Sequence, residues 1–125
     1  MQVLLRFIPT IGIMGMIFFL SHQPYDFVEQ LPDFNGFDKL LHVIAYGSLA
    51  ASLLYGLQPF INTTTMPIAG MIVVLFCLLY GLSDEFHQSF IPGRFVSGWD
   101  VLADTTGAVL VVLWWMRREG KGERP

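Results

Sequence analysis

Between Gly81 and Gly107 the chain sets Asp84, Glu85, His87, Gln88, Arg94, Asp100 and Asp104 into the seam between two apolar segments. Ionisable groups at a bilayer boundary are costly to maintain and mark function by default. Asp84 and Glu85 are adjacent carboxyl groups, which burial and crowding tune for proton transfer. Upstream, Asp38, His42 and Tyr46 follow an i, i+4, i+8 spacing and share one helix face. Asp84 and Gln88 share another face, and Asp100 and Asp104 a third, which Gly107 continues. His42, oriented by Asp38 or Glu85, would serve as a base or a metal ligand; a plain interhelical hydrogen bond accounts for it equally. A metal would draw on His42, His87 and the carboxylates. With no His pair at helical spacing and no cysteine cluster, that signal is weak, and an oxygen-rich set would suit Mg²⁺, Ca²⁺ or Mn²⁺ before Zn²⁺. Ser89 and Ser97 sit in no nucleophile elbow. Ser97 stands three residues before Asp100 and reads as a cap of the last helix, a place Asp100 itself would also fill.

These faces need elements to carry them. The 125 residues make one domain. They are 54% hydrophobic and only 14% charged, against about 25% charged in a soluble domain, which indicates a membrane protein. A net charge of -3 excludes the basic stripe of a nucleic-acid binder. The single cysteine, Cys77, lies in an apolar run and reads as a small core residue. A crossing takes about 20 apolar residues. Four segments meet or approach that, at about 3–21, 40–57, 66–85 and 99–116. The expected fold class is therefore all-α: a bundle of four transmembrane helices with short loops. No small-x-small cleavage site follows Leu20, so the first segment reads as a retained span.

Arg6 at one end and Arg117, Arg118, Lys121 and Arg124 at the other put both termini on the cytoplasmic side of the cell membrane by the positive-inside rule. Trp114 and Trp115 fit an aromatic belt on that side, and the uncharged loop Gln58 to Thr65 closes it. The loop His22 to Lys39 and the charged seam then face outward. Tyr25, Phe27, Phe34 and Phe37 would hold the first of these against the headgroups. Polar groups in lipid must find partners, so the three polar faces are expected to converge as one cluster in the outer leaflet. Ile91-Pro92-Gly93-Arg94 suits a type II turn that ends the third span and carries Arg94 back over the carboxylates. There the guanidinium would clamp them, or hold a phosphate or carboxylate headgroup. Gly12, Gly15, Gly47 and Gly107 read as sites of close helix approach.

The ordered set Asp38-Lys39-Leu-Leu-His42-Val-Ile-Ala-Tyr46-Gly47, Asp84-Glu85-Phe-His-Gln88-Ser-Phe90-Ile-Pro92-Gly93-Arg94 and Ser97-Gly-Trp-Asp100-Val-Leu-Ala-Asp104-Thr-Thr-Gly107 closely resembles the VanZ-like family of small bacterial membrane proteins. Ser21-His-Gln23-Pro24 is similar to that family's Ser-x-Gln-Pro element, and the resemblance runs from about Ile17 to Val111. It implies a link to glycopeptide (teicoplanin) resistance and no settled chemistry. Asp104 stands where members usually carry Asn. It adds a further acidic group among Asp84, Glu85 and Asp100, which leaves open its charge state and any role borrowed from the Asn.

Two functions fit these residues. In the first, the cluster binds, and modifies, the polar part of a membrane lipid or lipid-linked cell-wall component. Glu85, Asp84 and His42 are then the catalytic candidates, and Lys39, Tyr46, Gln88, Arg94, Asp100 and Asp104 contact the substrate. In the second, the protein is a non-enzymatic binder or scaffold that alters antibiotic access to the cell surface. A transporter would place charges along a path rather than at one end. The sequence names neither a cofactor nor an oligomeric state, and no metal ligands are assigned.

Overall fold

The computed structural model describes residues 2–24, 26 and 36–122, and every element among them is helical. The headgroup contacts expected of Tyr25, Phe27 and Phe34 fall outside those residues. Helix α1 is Gln2–Leu5, α2 Ile8–Ser21, α3 Phe37–Leu57, α4 Met66–Gln88 and α5 Gly98–Gly120. A 3₁₀ turn, Gln58–Phe60, extends α3. Pro9, in the first turn of α2, accounts for the break after Leu5: its ring crowds the carbonyl four residues back and it has no N–H to donate. Taken together, Gln2–Ser21, Phe37–Phe60, Met66–Gln88 and Gly98–Gly120 are four helices long and apolar enough to cross a membrane.

The helices outrun the hydropathic segments. Asp38 and Lys39 begin α3, Glu85 to Gln88 complete α4, and Arg117 to Gly120 complete α5. Polar residues continue the backbone ladder after hydropathy has fallen away. Gly36, left-handed at φ 90°, starts α3. The turn after α4 forms as the sequence requires, with Gly93 at φ 77° and the Arg94 N–H donating to the Ile91 carbonyl at 3.1 Å. At the opposite end Asn62 holds the turn that leads into α4: its side-chain oxygen accepts the N–H groups of Thr64 and Thr65, each at 3.0 Å.

α3 is the central helix. It packs along α5, and α2 and α4 lie against the pair. Ile17 of α2 joins Tyr46, Leu49, Ala50, Leu53, Leu54, Val73, Cys77, Ala108 and Val112 in the core. Leu79, Phe18, Met71 and Leu110 are among many large apolar side chains on the outer surface, as a lipid-facing bundle requires. Side-chain pairs 61 and 62 residues apart join α3 to α5 at successive levels, so the two run parallel. A Cβ at Gly107 would overlap the Val43 carbonyl, and one at Gly47 would lie 3.5 Å from the Gly107 oxygen. The two backbones therefore touch. Gly12 and Gly15 do not behave as expected: a Cβ at either meets nothing within 4 Å. They face away from the neighbouring helices, so their small size brings nothing closer.

Candidate functional site

One end of the bundle carries both described termini and the other carries residues 22–24, 36 and 89–97; we call the second the loop end. The polar faces meet there, in layers between α3 and α5. In the outermost layer Lys39 pairs with Asp100, and also with Asp38 at 2.6 Å. About one turn deeper, His42 Nδ1–H donates to Asp104 Oδ1 at 2.8 Å. This leaves Nε2 as the second functional nitrogen, 4.0 Å from Asp100 Oδ1. Below that, the wholly buried Tyr46 hydroxyl has no partner, nor has the second oxygen of Asp104. That oxygen lies over Gly81, where an added Cβ would approach it to 2.9 Å. Gly81 thus leaves room for the Asp104 carboxylate.

The α4 side is built separately. Asp84 Oδ2 accepts from Ser21 Oγ at 2.8 Å and from Gln88 Nε2 at 3.1 Å, which ties α2 to α4. Glu85 Oε2 accepts the Ser97 N–H at 2.7 Å and so caps the start of α5 from a neighbouring helix. Its other oxygen, Oε1, is buried and unpartnered. Asp84, Glu85, Gln88, Asp100 and Asp104 are all buried.

Several expected partnerships are replaced by others. His42 is oriented by Asp104 rather than by Asp38 or Glu85; Asp38 is exposed at the rim and bonded to Lys39. Arg94 clamps no carboxylate among the described residues. It donates from Nε to the Gln23 carbonyl at 3.2 Å and from Nη2 to the Leu20 carbonyl at 3.1 Å. The last turn of α2 leaves carbonyls unsatisfied, and a planar fork reaches two of them at once. Ser97 occupies the N-cap position of α5, but its hydroxyl makes no cap bond; Glu85 does that work, and Asp100 sits inside the helix. His87 faces away from His42. Its Nε2 lies 3.1 Å from His22 Nδ1, and both rings stand beside Phe18. The residues considered as metal ligands are thereby split, and among the described residues no group of three or more His, Cys, Asp and Glu side chains is arranged to hold an ion.

Sequence reasoning assigned no role to Ser21, although the Ser-x-Gln-Pro element pointed to it. It also passed over Tyr80, whose hydroxyl donates to the Met14 carbonyl at 2.8 Å from within an apolar run. Phe86, Phe90, Phe95 and Trp99, on the segments that carry the site, are exposed.

The layered pairs between α3 and α5, the Asp84–Gln88 face and the Pro92–Gly93 turn occupy the segments whose order suggested a family. The family model described as VanZ/LLP1 matches residues 6–118, nearly the whole chain. The chain belongs to the VanZ/LLP1 family. No curated protein and no solved structure gives a significant match. The membership covers the helices that build the cluster, because the matched span runs from the hinge before α2 to the last turns of α5.

Proposed function

We propose that this VanZ-like membrane protein binds, and modifies, the polar part of an envelope lipid or lipid-linked cell-wall component at the outer face of the cell membrane, with both termini cytoplasmic. The link to glycopeptide (teicoplanin) resistance implied by the family resemblance belongs to this reading. One observation carries it: Tyr46 OH, Glu85 Oε1 and Asp104 Oδ2 are buried without partners beside a His–Asp pair. A fold that buries unpaired polar atoms in a bilayer bears a cost of about 1–3 kcal/mol for each, a cost that a ligand would offset. The exposed Phe86, Phe90, Phe95 and Trp99 on the same segments suit a substrate that arrives from the membrane.

Roles follow from the bonds already made. Asp104 fixes the His42 tautomer, so Nε2 is the nitrogen that exchanges a proton. Glu85, with one oxygen holding Ser97, offers the other as the second acid/base atom. Asp84, whose Oδ2 accepts from both Ser21 and Gln88, serves chiefly to position the site in this reading. Lys39, held by Asp100, and the remaining donors of Arg94 receive an anionic group, and the Tyr46 hydroxyl and Gln88 amide supply hydrogen bonds.

The test is mass spectrometry of envelope lipids and cell-wall precursors. It compares cells lacking the protein with cells carrying wild type, Glu85→Gln or His42→Gln at matched membrane levels. A mass change seen with wild type alone is expected and names the substrate class. Full activity in both variants would sink the assignment. The non-enzymatic reading also has an observation behind it, since every carboxylate here already holds a structural partner. It predicts identical envelopes with a drug-susceptibility difference that scales with protein dose.

A further inference from the structure

A second site lies at the other end of the bundle, far from the carboxylate cluster. There α3 and α5 enclose an open groove of about 370 Å³. Ala51, Leu54, Val111, Tyr55, Trp114 and Trp115 supply its apolar lining. Ala51 is the reason the groove exists: a small side chain on an exposed position leaves the space a larger one would fill.

One arginine lines this groove and a second is stacked on its lining residue Tyr55. Arg118 lies over the Trp114 ring, 4.9 Å from its centroid. Arg6, delivered by the hinge between α1 and α2, lies over the Tyr55 ring at 4.8 Å. Its Nη1 also reaches the Tyr55 carbonyl at 3.4 Å and the Gln58 side-chain oxygen at 3.5 Å. A guanidinium stacked by its face keeps N–H edges available for an oxyanion. Glu119 also lines the groove, so Arg118 within it and Arg6 beside its Tyr55 and Gln58 stand against one carboxylate. An apolar crevice in a lipid-facing wall, closed at the interface by aromatic rings and stacked arginines, matches a single-chain-deep lipid contact with a negatively charged head.

We infer that this groove is a binding site for one anionic phospholipid, with an acyl chain against Ala51, Leu54 and Val111 and the phosphate between Arg6 and Arg118. Charge complementarity at the mouth selects this occupant over a zwitterionic lipid, and the site requires no assumption about the chemistry at the loop end.

The experiment uses the full chain carrying Trp99→Phe, so that Trp114 and Trp115 report alone. It is reconstituted in phosphatidylcholine vesicles with increasing brominated phosphatidylglycerol or brominated phosphatidylcholine, and fluorescence quenching is read. Half-quenching by the anionic lipid is expected at a several-fold lower mole fraction. Arg118→Ala or Arg6→Ala should each reduce that preference about five-fold, as about one surface cation is lost. Arg117→Ala removes the same charge from a residue outside the groove and should leave the preference intact. Ala51→Phe fills the groove, keeps every charge, and should abolish the preference. Equal quenching by the two lipids overturns the inference. So does an equal effect of Arg117→Ala and Arg118→Ala, which would mean diffuse attraction of anionic lipid to a basic end. Circular dichroism and gel filtration of each variant confirm that the comparison is between folded proteins.

Discussion

The α3–α5 seam and the attachment of α2 are built on opposite principles. Along the seam, backbones meet at Gly107 and Val43, and polar pairs at Lys39–Asp100 and His42–Asp104 continue the same register. α2 makes no such approach. The apolar window of the first span is 11% buried, against 44% for the span built on α3. What holds α2 is one core residue, Ile17, with Ile13 and Met14 packed beside it, and a few polar ties: Ser21 to Asp84, Tyr80 to the Met14 carbonyl, and Arg94 to the carbonyls at its C-terminal end. Phe7 adds a packing contact by seating its ring against Gly56. Lipid tails compete well for apolar helix faces, so association in a bilayer comes from close packing or from polar groups that lipid cannot satisfy. The seam uses both along its length, whereas α2 combines a small apolar contact at Ile17 with scattered polar ties.

The comparison can be broken first at the seam. Gly107→Val drives a side chain into the Val43 carbonyl and should cost more than about 4 kcal/mol, read as loss of monodisperse protein in detergent. Normal yield and stability would mean that the close approach is not what holds α3 to α5. Next is the deepest α2 tie. Asp84→Ala removes the acceptor that buried Ser21 and Gln88 share and should lower stability by about 1–3 kcal/mol in denaturant titration. Arg94→Ala should cost about 1 kcal/mol and raise hydrogen exchange selectively at residues 20–24. Unchanged exchange there would remove Arg94 from the list of ties. Gly12→Ala sharpens the contrast at its quiet end. It should fall within about 0.5 kcal/mol of wild type by thermal unfolding, because the added methyl enters lipid. A large loss would place an unrecognised contact on that face.

Much of the loop-end cluster was legible because i, i+4 spacing fixes which residues share a helix face. Asp84 with Gln88 and Asp100 with Asp104 follow from that rule alone. Partner choice does not follow, because spacing says nothing about depth or about the rotation of one helix against the next. His42 meets Asp104 rather than Glu85 because α3 and α5 run parallel in contact, which places residue 42 level with residue 104. Arg94 was read from its charge, and charge suggested carboxylates. Its bonds to carbonyls depend on where α2 happens to end. Ser97 was read from a local capping pattern, whereas Glu85 supplies the acceptor from another helix.

The sequence by itself determined four apolar helices, the turn at Pro92 and Gly93, and the concentration of ionisable groups at one end of the last two spans. These depend on local quantities: hydropathy over a span, φ preference at a turn, and the order of residues along one chain. The tertiary structure alone decided which glycines are packed, which acceptor each donor reaches, and that Tyr46, Glu85 and Asp104 keep buried atoms unpaired. Those depend on helix rotation and depth, which are set by how neighbouring surfaces fit and are written in no single segment.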